Sequence, residues 1–498
     1  MMHEHGKSDE GVVPAKSSNK DAFRSAEATE GRPSAKGNAN QQNTSRTLSR
    51  PHDVHNALER VRKAAKRNKK LRFTSLFHHI TRDRLRAAYH SLRRGAASGV
   101  DGVTWKDYGV ELEHRLKALH RRLHTGGYKA KPTRRVFIPK PDGGLRPLGI
   151  AALEDKIVQR VVVEILNAIY EVDFVGFSYG FRAGRNQHQA LDALAVGILR
   201  KKVNWVLDAD VKRFFDTMDH DWLMRFLEHR IADPRLLRLL HKWLRAGVLE
   251  DGKRSRSDAG SPQGAPISPL LGNIYLHYVI DLWASSWRRS QTSGDMVIVR
   301  YADDIEFGFQ RQVDAQSFMR ALDLRLRRFK LSMNPEKTRL IRFGTLARQQ
   351  CHERGLGKPS TFTFLGFTHI CGKTWQGRFM LCRKTASERM RRTLHAIRKQ
   401  LRRRLHQSIE VQGAWLRRVL QGYFAYYAVP TNGRSMERFR TEVTRLWLRT
   451  LRRRSQRHRI TWAKMATIAA RWLPPARVLH PWPDARFDAS TRGRSPVQ

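Results

Sequence analysis

The fold of this chain is decided by Met296-Val-Ile-Val-Arg-Tyr-Ala-Asp-Asp-Ile-Glu-Phe-Gly-Phe309. An apolar, β-branched run here meets a Tyr-Ala-Asp-Asp turn and is followed by a second short apolar run, which predicts a β-hairpin. Asp303 and Asp304 would lie at its tip. A lone pair of aspartates in a turn is usually ordinary solvated structure, because Asp favours turns for local hydrogen bonding. Tyr301 and the two flanking strands favour a functional pair instead.

A second acidic strand is predicted at Trp205-Val-Leu-Asp-Ala-Asp-Val211. Alternation puts its large apolar residues on one face and Asp208 and Asp210 on the other. Three carboxylates converging from neighbouring strands could hold two Mg²⁺ ions for phosphoryl transfer, as polymerisation requires. By itself, Asp208-Ala-Asp210 also resembles the Asp-x-Asp motif of metal-dependent glycosyltransferases. Only the combination with the hairpin favours a polymerase.

The net charge points to a polyanionic partner. The 498 residues include 95 Lys and Arg against 45 Asp and Glu, a formal charge of +50. Such self-repulsion is typical of proteins that bind nucleic acid. With 40% hydrophobic residues the chain can fill real cores, and it has no apolar run of the ~20 residues that cross a bilayer. We therefore expect a cytoplasmic, nucleic-acid-associated protein with no membrane partner, whose three cysteines are incidental.

Composition divides the chain into five segments. Residues 1–50 are polar and nearly aromatic-free, which predicts a disordered leader. A basic helical region follows, and residues from about 136 to 367 mix short β-branched runs with helices, the pattern of an α+β domain. From Glu388 to Arg459 a helical apolar stripe accompanies 20 Lys and Arg and only 4 Asp and Glu. The last segment, 464–498, is rich in proline, which predicts no regular structure.

Several further blocks occur in an order found in a known family. They include Ile138-Pro-Lys-Pro-Asp-Gly-Gly-Leu-Arg-Pro-Leu-Gly-Ile150, Ser178-Tyr-Gly-Phe-Arg182, Ser261-Pro-Gln-Gly-Ala265 and Phe362-Thr-Phe-Leu-Gly-Phe367. With the two acidic segments, they resemble the reverse transcriptases and maturases encoded by bacterial group II introns. The resemblance implies a right-hand polymerase with an N-terminal basic region and fingers (51–200), an α+β palm with an antiparallel sheet (201–375) and a helical thumb or maturase domain (376–463). The chain resembles the branch that lacks an endonuclease domain.

The resemblance also implies the residues of an active site. It makes Asp210, Asp303 and Asp304 the catalytic residues, which hold two Mg²⁺ ions, or Mn²⁺, together with the Val211 carbonyl. The residues that would contact the incoming deoxynucleotide are Lys140, Arg146, Phe215, Gln263 and Lys337. Phe215 would exclude a ribose 2′-hydroxyl. Each also has a plainer interpretation: a basic hairpin on RNA backbone for the first two, core packing for Phe215, a buried amide for Gln263 and a solvated turn lysine for Lys337.

The remaining implied contacts are with nucleic acid. They are Arg182, Arg402, Arg403, Arg404, Arg452, Arg453 and Arg454. For Arg182, lining the template path and decorating the surface remain equal alternatives. The partners implied are the intron RNA, an RNA template and a DNA primer, whereas the oligomeric state stays open. A host-adapted or defence-associated reverse transcriptase and a non-catalytic RNA-binding splicing factor are the alternative functions.

Overall fold

The structure is a computed structural model that describes residues 51–139, 144–250, 253–255, 259–261, 264–454 and 460–490. The predicted leader, 1–50, lies outside the described residues. The helices are α1 (Pro51–Arg67), α2 (Arg82–Ser91), α3 (Trp105–Gly109), α4 (Leu112–His124), α5 (Leu153–Asp173), α6 (Gln187–Arg200), α7 (Phe214–Thr217), α8 (His220–Glu228), α9 (Pro234–Arg245), α10 (Ser268–Leu276), α11 (Leu282–Ser290), α12 (Gln312–Arg328), α13 (Ala347–Glu353), α14 (Ser387–Arg403), α15 (Ile409–Tyr427), α16 (Gly433–Arg452), α17 (Trp462–Trp472) and α18 (Pro483–Ser490). The strands are β1 (Thr133–Pro139), β2 (Leu145–Ile150), β3 (Trp205–Asp210), β4 (Val248–Glu250), β5 (Lys253–Ser255), β6 (Met296–Tyr301), β7 (Asp304–Phe309), β8 (Arg339–Arg342), β9 (Phe362–Phe364), β10 (Phe367–Lys373) and β11 (Phe379–Thr385).

The palm is a four-stranded antiparallel sheet in the order β6-β7-β3-β8. The predicted hairpin is confirmed: β6 and β7 pair directly, with Tyr301 opposite Asp304 and a two-residue turn between them. The strand that carries Asp210 pairs with β7 rather than standing apart. Helices α6, α10 and α12 are apolar on the faces they bury and share the main hydrophobic cluster with this sheet. The α+β fold predicted from the sequence is therefore the one observed.

A second sheet, in the order β2-β1-β4-β5, combines two strands of the predicted fingers segment with two short strands that follow β3 in the chain. Its central hairpin pairs β1 with β2, so that the backbone of Arg146 lies opposite Ile138. The long helix α5 follows β2 and buries most of its length, because Val and Ile dominate its sequence. This helix contacts α1 and α2, which ties the basic N-terminal helices to the main core.

A third sheet and a separate helical cluster follow in the last third of the chain. Strands β9, β10 and β11 make an antiparallel meander whose buried face joins the palm core. The thumb core is a second hydrophobic cluster, built from α14, α15, α16 and α17 around fully buried Trp447. The boundary expected at 375–376 falls at the tip of the β10–β11 hairpin. The thumb helices instead begin at Ser387, after the hairpin is complete.

The prediction that 464–498 has no regular structure is wrong for the described part. Most of α17 lies in it, and α18 begins at Pro483, where proline is tolerated because the first helical N–H needs no partner. Phe487 is buried in the main cluster, and the side chain of Arg486 pairs with Asp192 of α6. We call residues 473–490 the C-terminal strap, since they run from the thumb back to the palm. None of the helices in the described ranges combines the length and apolarity needed to cross a bilayer.

Candidate active site

The aspartates predicted to be catalytic are brought together by the register of β3 and β7. In that antiparallel pair the Cα of Asp210 lies opposite the Cα of Asp304, and two residue pairs further along Asp208 lies opposite Glu306. Residues directly opposite each other on one face have Cβ atoms about 5 Å apart. Asp303 occupies the adjoining turn. The three predicted carboxylates therefore converge at one end of the palm sheet.

A crevice of about 620 Å³ opens above this end of the sheet. Asp210, Asp303 and Lys337 line it. Phe137 and Pro147 of the β1–β2 hairpin also belong to its lining. The crevice is large enough for a nucleotide, which combines negative phosphates with a flat base and sugar.

The turn that carries Asp303 is held by close backbone packing. Ala302 adopts a left-handed conformation with φ of 56°, as a tight two-residue hairpin turn requires. The Tyr179 amide donates to the Arg300 carbonyl at 2.8 Å, and the Arg300 amide donates to the Phe177 carbonyl at 2.9 Å. Gly180 then lies so close that a Cβ there would come 2.3 Å from the Ala302 nitrogen. This explains why glycine stands in the middle of Ser178-Tyr-Gly-Phe-Arg182.

Arg300, on β6, fixes the turn from the interior. Its fully buried guanidinium donates to both carboxylate oxygens of Asp281, at 2.7 and 2.6 Å. It also donates to Asn273 Oδ1 and to the Ala302 carbonyl, both at 2.9 Å. Such bidentate, charge-assisted bonds fix geometry strongly in a low-dielectric interior. The position of the Asp303 turn is thus set by a buried ion pair.

Asp210 is positioned by the segment Leu331–Thr338. The Asn334 side-chain amide donates to Asp210 Oδ2 at 3.0 Å, and the Asn334 backbone amide donates to the Asp210 carbonyl at 2.8 Å. Lys337 Nζ lies 3.9 Å from Asp210 Oδ2, within ion-pair range. The Lys212 backbone amide donates to the Ser332 carbonyl, so none of the backbone hydrogen bonds between the two segments named here uses the Val211 carbonyl as its acceptor. Val211 is one of the residues that line the crevice, and its role as a metal ligand stays a prediction.

Negative charge accumulates at this end of the sheet. Asp304 is exposed at the start of β7, and desolvation of its carboxyl group by the surrounding protein, followed by the charges of Asp303, Asp210 and Asp208, raises the pKa of Asp304 to about 7. Burial also raises the pKa of Asp208, although Arg339 Nη2 donates to its carboxylate at 3.3 Å and opposes the shift. A cation placed among these carboxylates would relieve their repulsion.

The donor chemistry fits magnesium without forming a closed cage. Within the described ranges, no three Asp, Glu, His or Cys side chains lie close enough together to enclose an ion unaided. Mg²⁺ is normally held by one or two carboxylates and completed by water and substrate phosphates, so a complete protein cage is not required. Carboxylates crowded at an open crevice meet that description.

Phe214 and Phe215 both line the crevice but differ in burial. Phe214 is 2% exposed in the main cluster, whereas Phe215 is half-buried and lines the crevice. The Ser261 amide donates to the Phe215 carbonyl at 2.8 Å, which couples this residue to the glycine loop before α10. Both phenylalanines line the crevice and pack on the main cluster, so the packing interpretation of this pair is observed, whereas the exclusion of a 2′-hydroxyl by Phe215 stays a prediction.

The other predicted nucleotide contacts fall into two groups. Lys140 and Gln263 lie outside the described residues, and Arg146 is described only for its backbone on β2. Lys337 is exposed beside Asp210 at the crevice.

The predicted contact between Arg182 and nucleic acid is wrong. Its side chain is fully buried, paired with Glu171 at 2.9 Å, and its Nη1 donates to the carbonyls of Val175 and Ser178 at 2.6 and 2.7 Å. Because every one of these groups is internal, Arg182 cannot reach RNA in this structure. It orders the loop that leads to Gly180 instead.

The predicted thumb arginines remain at the surface with one qualification. Arg402, Arg403, Arg452, Arg453 and Arg454 are exposed. Arg404 is half-buried, with its guanidinium carbon 4.7 Å from the centre of the Trp415 ring and a bond to Gln400. Arg404 therefore contributes to thumb packing as well as to surface charge.

The sequence interpretation missed the residues that position the aspartates. These are Gly180, Asn273, Asp281, Arg300 and Asn334. One signal was available: an arginine within the apolar run of β6 must find a buried partner, since an unpaired interior charge is costly. The identity of that partner could not be read from the sequence.

Comparison with known proteins agrees with this geometry. Residues 138–369 match the family described as "Reverse transcriptase (RNA-dependent DNA polymerase)". The chain is 36% identical over 275 residues to Protein YkfC of Escherichia coli (strain K12), an alignment that covers 49% of this chain and 71% of that protein. It is 35% identical over 222 residues to Group II intron-encoded protein LtrA of Lactococcus lactis subsp. cremoris, covering 44% of this chain and 37% of LtrA.

A yeast relative matches over a longer alignment. The Putative COX1/OXI3 intron 1 protein of Saccharomyces cerevisiae is 30% identical over 352 residues, covering 61% of this chain and 41% of that protein. The chain thus spans well under half the length of the intron-encoded relatives it matches. The residues that match the family, 138–369, include Asp210, Asp303 and Asp304. The chain belongs to the reverse transcriptase (RNA-dependent DNA polymerase) family, in its group II intron-encoded reverse transcriptase and maturase branch.

Proposed function

We propose that the palm of this reverse transcriptase extends a DNA primer on an RNA template, using deoxynucleoside triphosphates. The observation that supports this most directly is the β3–β7 register, which brings Asp210 opposite Asp304 beside the Asp303 turn at the crevice. A non-catalytic RNA-binding protein has no need of three carboxylates crowded in an otherwise cationic chain.

Asp210, Asp303 and Asp304 would hold two Mg²⁺ ions, with the Val211 carbonyl as a further ligand and Mn²⁺ as an alternative ion. When bound, such ions stabilise charge on the attacking and leaving oxygens of an in-line displacement. The chain itself positions the reacting groups: Arg300 holds the turn from within, and Asn334 orients the Asp210 carboxylate. Misplacement of reacting groups by 1 Å costs about 100-fold in rate, so this positioning is essential.

The remaining crevice residues would bind the nucleotide. Phe215, which lines the crevice, would exclude a ribose 2′-hydroxyl, and the exposed Lys337 ammonium would neutralise the departing pyrophosphate. Lys140 and Arg146 would clamp the triphosphate, and Gln263 would contact the nucleotide from the glycine loop. Phosphate recognition by paired cations is well suited to this task.

The test is primer extension by the double variant Asp303→Ala/Asp304→Ala. We expect no detectable synthesis on an RNA template, with RNA affinity nearly unchanged because the cationic surfaces are intact. The matched control is Asp323→Ala, which removes an acid paired with Arg327 on the outer face of α12. Extension by the double variant at the wild-type rate would show that the mechanism is wrong.

A second function is favoured by the surface of the thumb. The inward side of α14 is apolar, with Ile397 and Leu401 buried, whereas the arginines of its other sides are exposed. We propose that this cationic surface binds the structured RNA of the intron and assists its splicing, as a cytoplasmic, nucleic-acid-associated protein. Phosphate contacts by many arginines suit a folded RNA.

This second proposal has its own experiment. Substituting Arg402, Arg403, Arg452, Arg453 and Arg454 with Gln should weaken binding of the intron RNA and flatten its salt dependence, because fewer counterions are released. Extension of a short primer should be retained. Equal affinity of the wild-type chain for the intron and a scrambled RNA at physiological salt would contradict intron recognition and would favour a host-adapted role.

A further inference from the structure

An isolated tryptophan stands at the tip of the β10–β11 hairpin. Trp375 is 93% exposed, the most exposed large apolar side chain in the described part of the chain. Exposing a large aromatic ring to water costs free energy, since such rings gain most from burial. Its neighbours in the turn, Thr374, Gln376 and Gly377, are polar or small, so the ring has no apolar surroundings in the turn itself.

The hairpin presents this ring rigidly. Seven consecutive residue pairs join β10 to β11, from Phe367 opposite Thr385 to Lys373 opposite Phe379. The turn is closed by the Gly377 amide donating to the Thr374 carbonyl at 3.0 Å, with Gly377 at φ of 79°. Paired strands and a hydrogen-bonded turn reduce the entropy lost when a ligand binds at the tip.

The base of the hairpin is fixed to the thumb, far from the tip. The Tyr426 hydroxyl donates to the Leu365 carbonyl at 2.8 Å, and the Phe367 ring lies 5.2 Å from that of Tyr427. Six residues of extended strand then separate Phe367 from Lys373, which is about 20 Å at ~3.3 Å per residue. The tip is therefore a site separate from the contacts at the base.

The charge around the ring has one sign. Residues 367–385 contain Lys373, Arg378, Arg383 and Lys384 and no acid. Arg383 is buried and paired with Asp192, whereas Lys373 and Arg378 are exposed on either side of Trp375. A flat ring between two exposed cations matches a nucleobase and its flanking phosphates, because base stacking and phosphate pairing act together in single-strand binding.

A protein partner fits this surface less well. Interface anchors are surrounded by further contacts that exclude water, and the polar turn around Trp375 offers few of them. We propose that Trp375 stacks on an unpaired base of single-stranded nucleic acid, while Lys373 and Arg378 contact the adjoining phosphates. The site rests on the proposed function only in taking nucleic acid as ligand, and it is distinct from the polymerase crevice.

The test measures binding of unstructured 20-nucleotide strands, oligo-U RNA and oligo-dT DNA, to the full chain over a salt series. Trp375→Ala should weaken binding about tenfold, the order expected for one stacked base, without changing the salt slope. Lys373→Gln/Arg378→Gln should instead lower the slope by about 1.4, since each single-strand phosphate contact contributes ~0.7. Trp375→Phe should restore most of the affinity.

A site-specific readout accompanies the affinities, because the chain has many other cationic surfaces. With 4-thiouridine in the RNA, photo-crosslinks should map to residues 373–378 and disappear in Trp375→Ala. The control is Trp482→Ala, a tryptophan 53% exposed on the C-terminal strap, which should bind both strands like the wild type. If Trp375→Ala loses affinity for only one of the two oligomers, that oligomer identifies the ligand as RNA or as DNA.

Unchanged affinity and crosslinking in Trp375→Ala would overturn the inference. A substitution that changes only the self-association of the protein, measured by light scattering, would overturn it as well. Extension of a short template–primer by Trp375→Ala should match the wild type. If the wild type itself fails to extend primers while the tip effects persist, the proposed polymerase activity fails and the binding site stands. If extension is normal and the tip effects are absent, only the binding site fails.

Discussion

Substituting Gly180 with Ala should displace the catalytic turn without touching a carboxylate. The added Cβ would lie 2.3 Å from the Ala302 nitrogen and 2.9 Å from the Tyr301 carbonyl carbon. Ordinary contacts begin near 3.4 Å, so the turn and the Gly180 loop must separate by about 1 Å. The loop cannot yield freely, because the Asn273 side chain donates to the Gly180 carbonyl at 2.7 Å.

A 1 Å displacement of Asp303 predicts a rate of nucleotide addition about 100-fold lower, or ~2.7 kcal/mol in activation free energy. Overpacking also costs ~1–3 kcal/mol of stability, so the assay belongs well below the melting temperature. We would measure single-turnover extension of one nucleotide at saturating deoxynucleotide, with RNA affinity and Tm recorded in parallel. RNA affinity should be unchanged.

The control is Gly95→Ala, because a Cβ at Gly95 meets nothing within 4 Å. It should extend primers like the wild type. A Gly180→Ala protein that is folded and extends primers within ~3-fold of the wild-type rate would refute the reasoning, since the turn would then tolerate the displacement or avoid it.

Two further predictions concern buried charges. Burial and the nearby Arg383 charge lower the pKa of His369 from 6.5 to about 3. Between pH 6.5 and pH 3, His369 is therefore protonated in the unfolded chain but not in the folded protein. Because the unfolded chain binds the extra proton, the free energy of unfolding falls as the pH falls. His369→Phe should abolish about 2 kcal/mol of this loss of stability at pH 5. The Tm of the variant should therefore drop less than the wild-type Tm between pH 7.5 and pH 5, and an equal drop would contradict the prediction. Asp192→Asn should cost ~3–5 kcal/mol and expose the C-terminal strap to protease, because Asp192 lies buried between two guanidiniums. Asp488→Asn, which breaks a more exposed pair at 2.7 Å, should cost under ~1 kcal/mol, and equal effects would exclude this account.

These buried pairs form a layer of polar structure behind the active site. Arg300 with Asp281 fixes the hairpin turn, and Arg182 with Glu171 orders the loop that packs on it. Replacing one partner of such a pair leaves an uncompensated charge, whereas the intact pair fixes a single geometry. The chain thus uses part of its positive charge inside the fold, although most of it remains at the surface.

Local patterns were sufficient for the strands and turns around the site. The alternation in Trp205–Val211 and the apolar run before Tyr301 predicted β3 and β6 correctly, because side-chain period and turn chemistry are set within a few residues. The same kind of reasoning failed at 483–490. There the proline content suggested irregular chain, but Pro483 occupies a position that a helix accepts, and Phe487 finds a buried site on a distant part of the fold.

By itself the sequence determined the hairpin with its two aspartates, the acidic face of β3, the cationic helices of the thumb and the need for a polyanionic partner. Only the tertiary structure decided that Asp210 lies opposite Asp304, that Arg182 is interior while Trp375 is exposed, and that the strap returns to α6. The physical reason is range. Propensity, periodicity and turns depend on neighbouring residues, whereas strand register, ion-pair choice and burial depend on contacts between segments far apart in the chain.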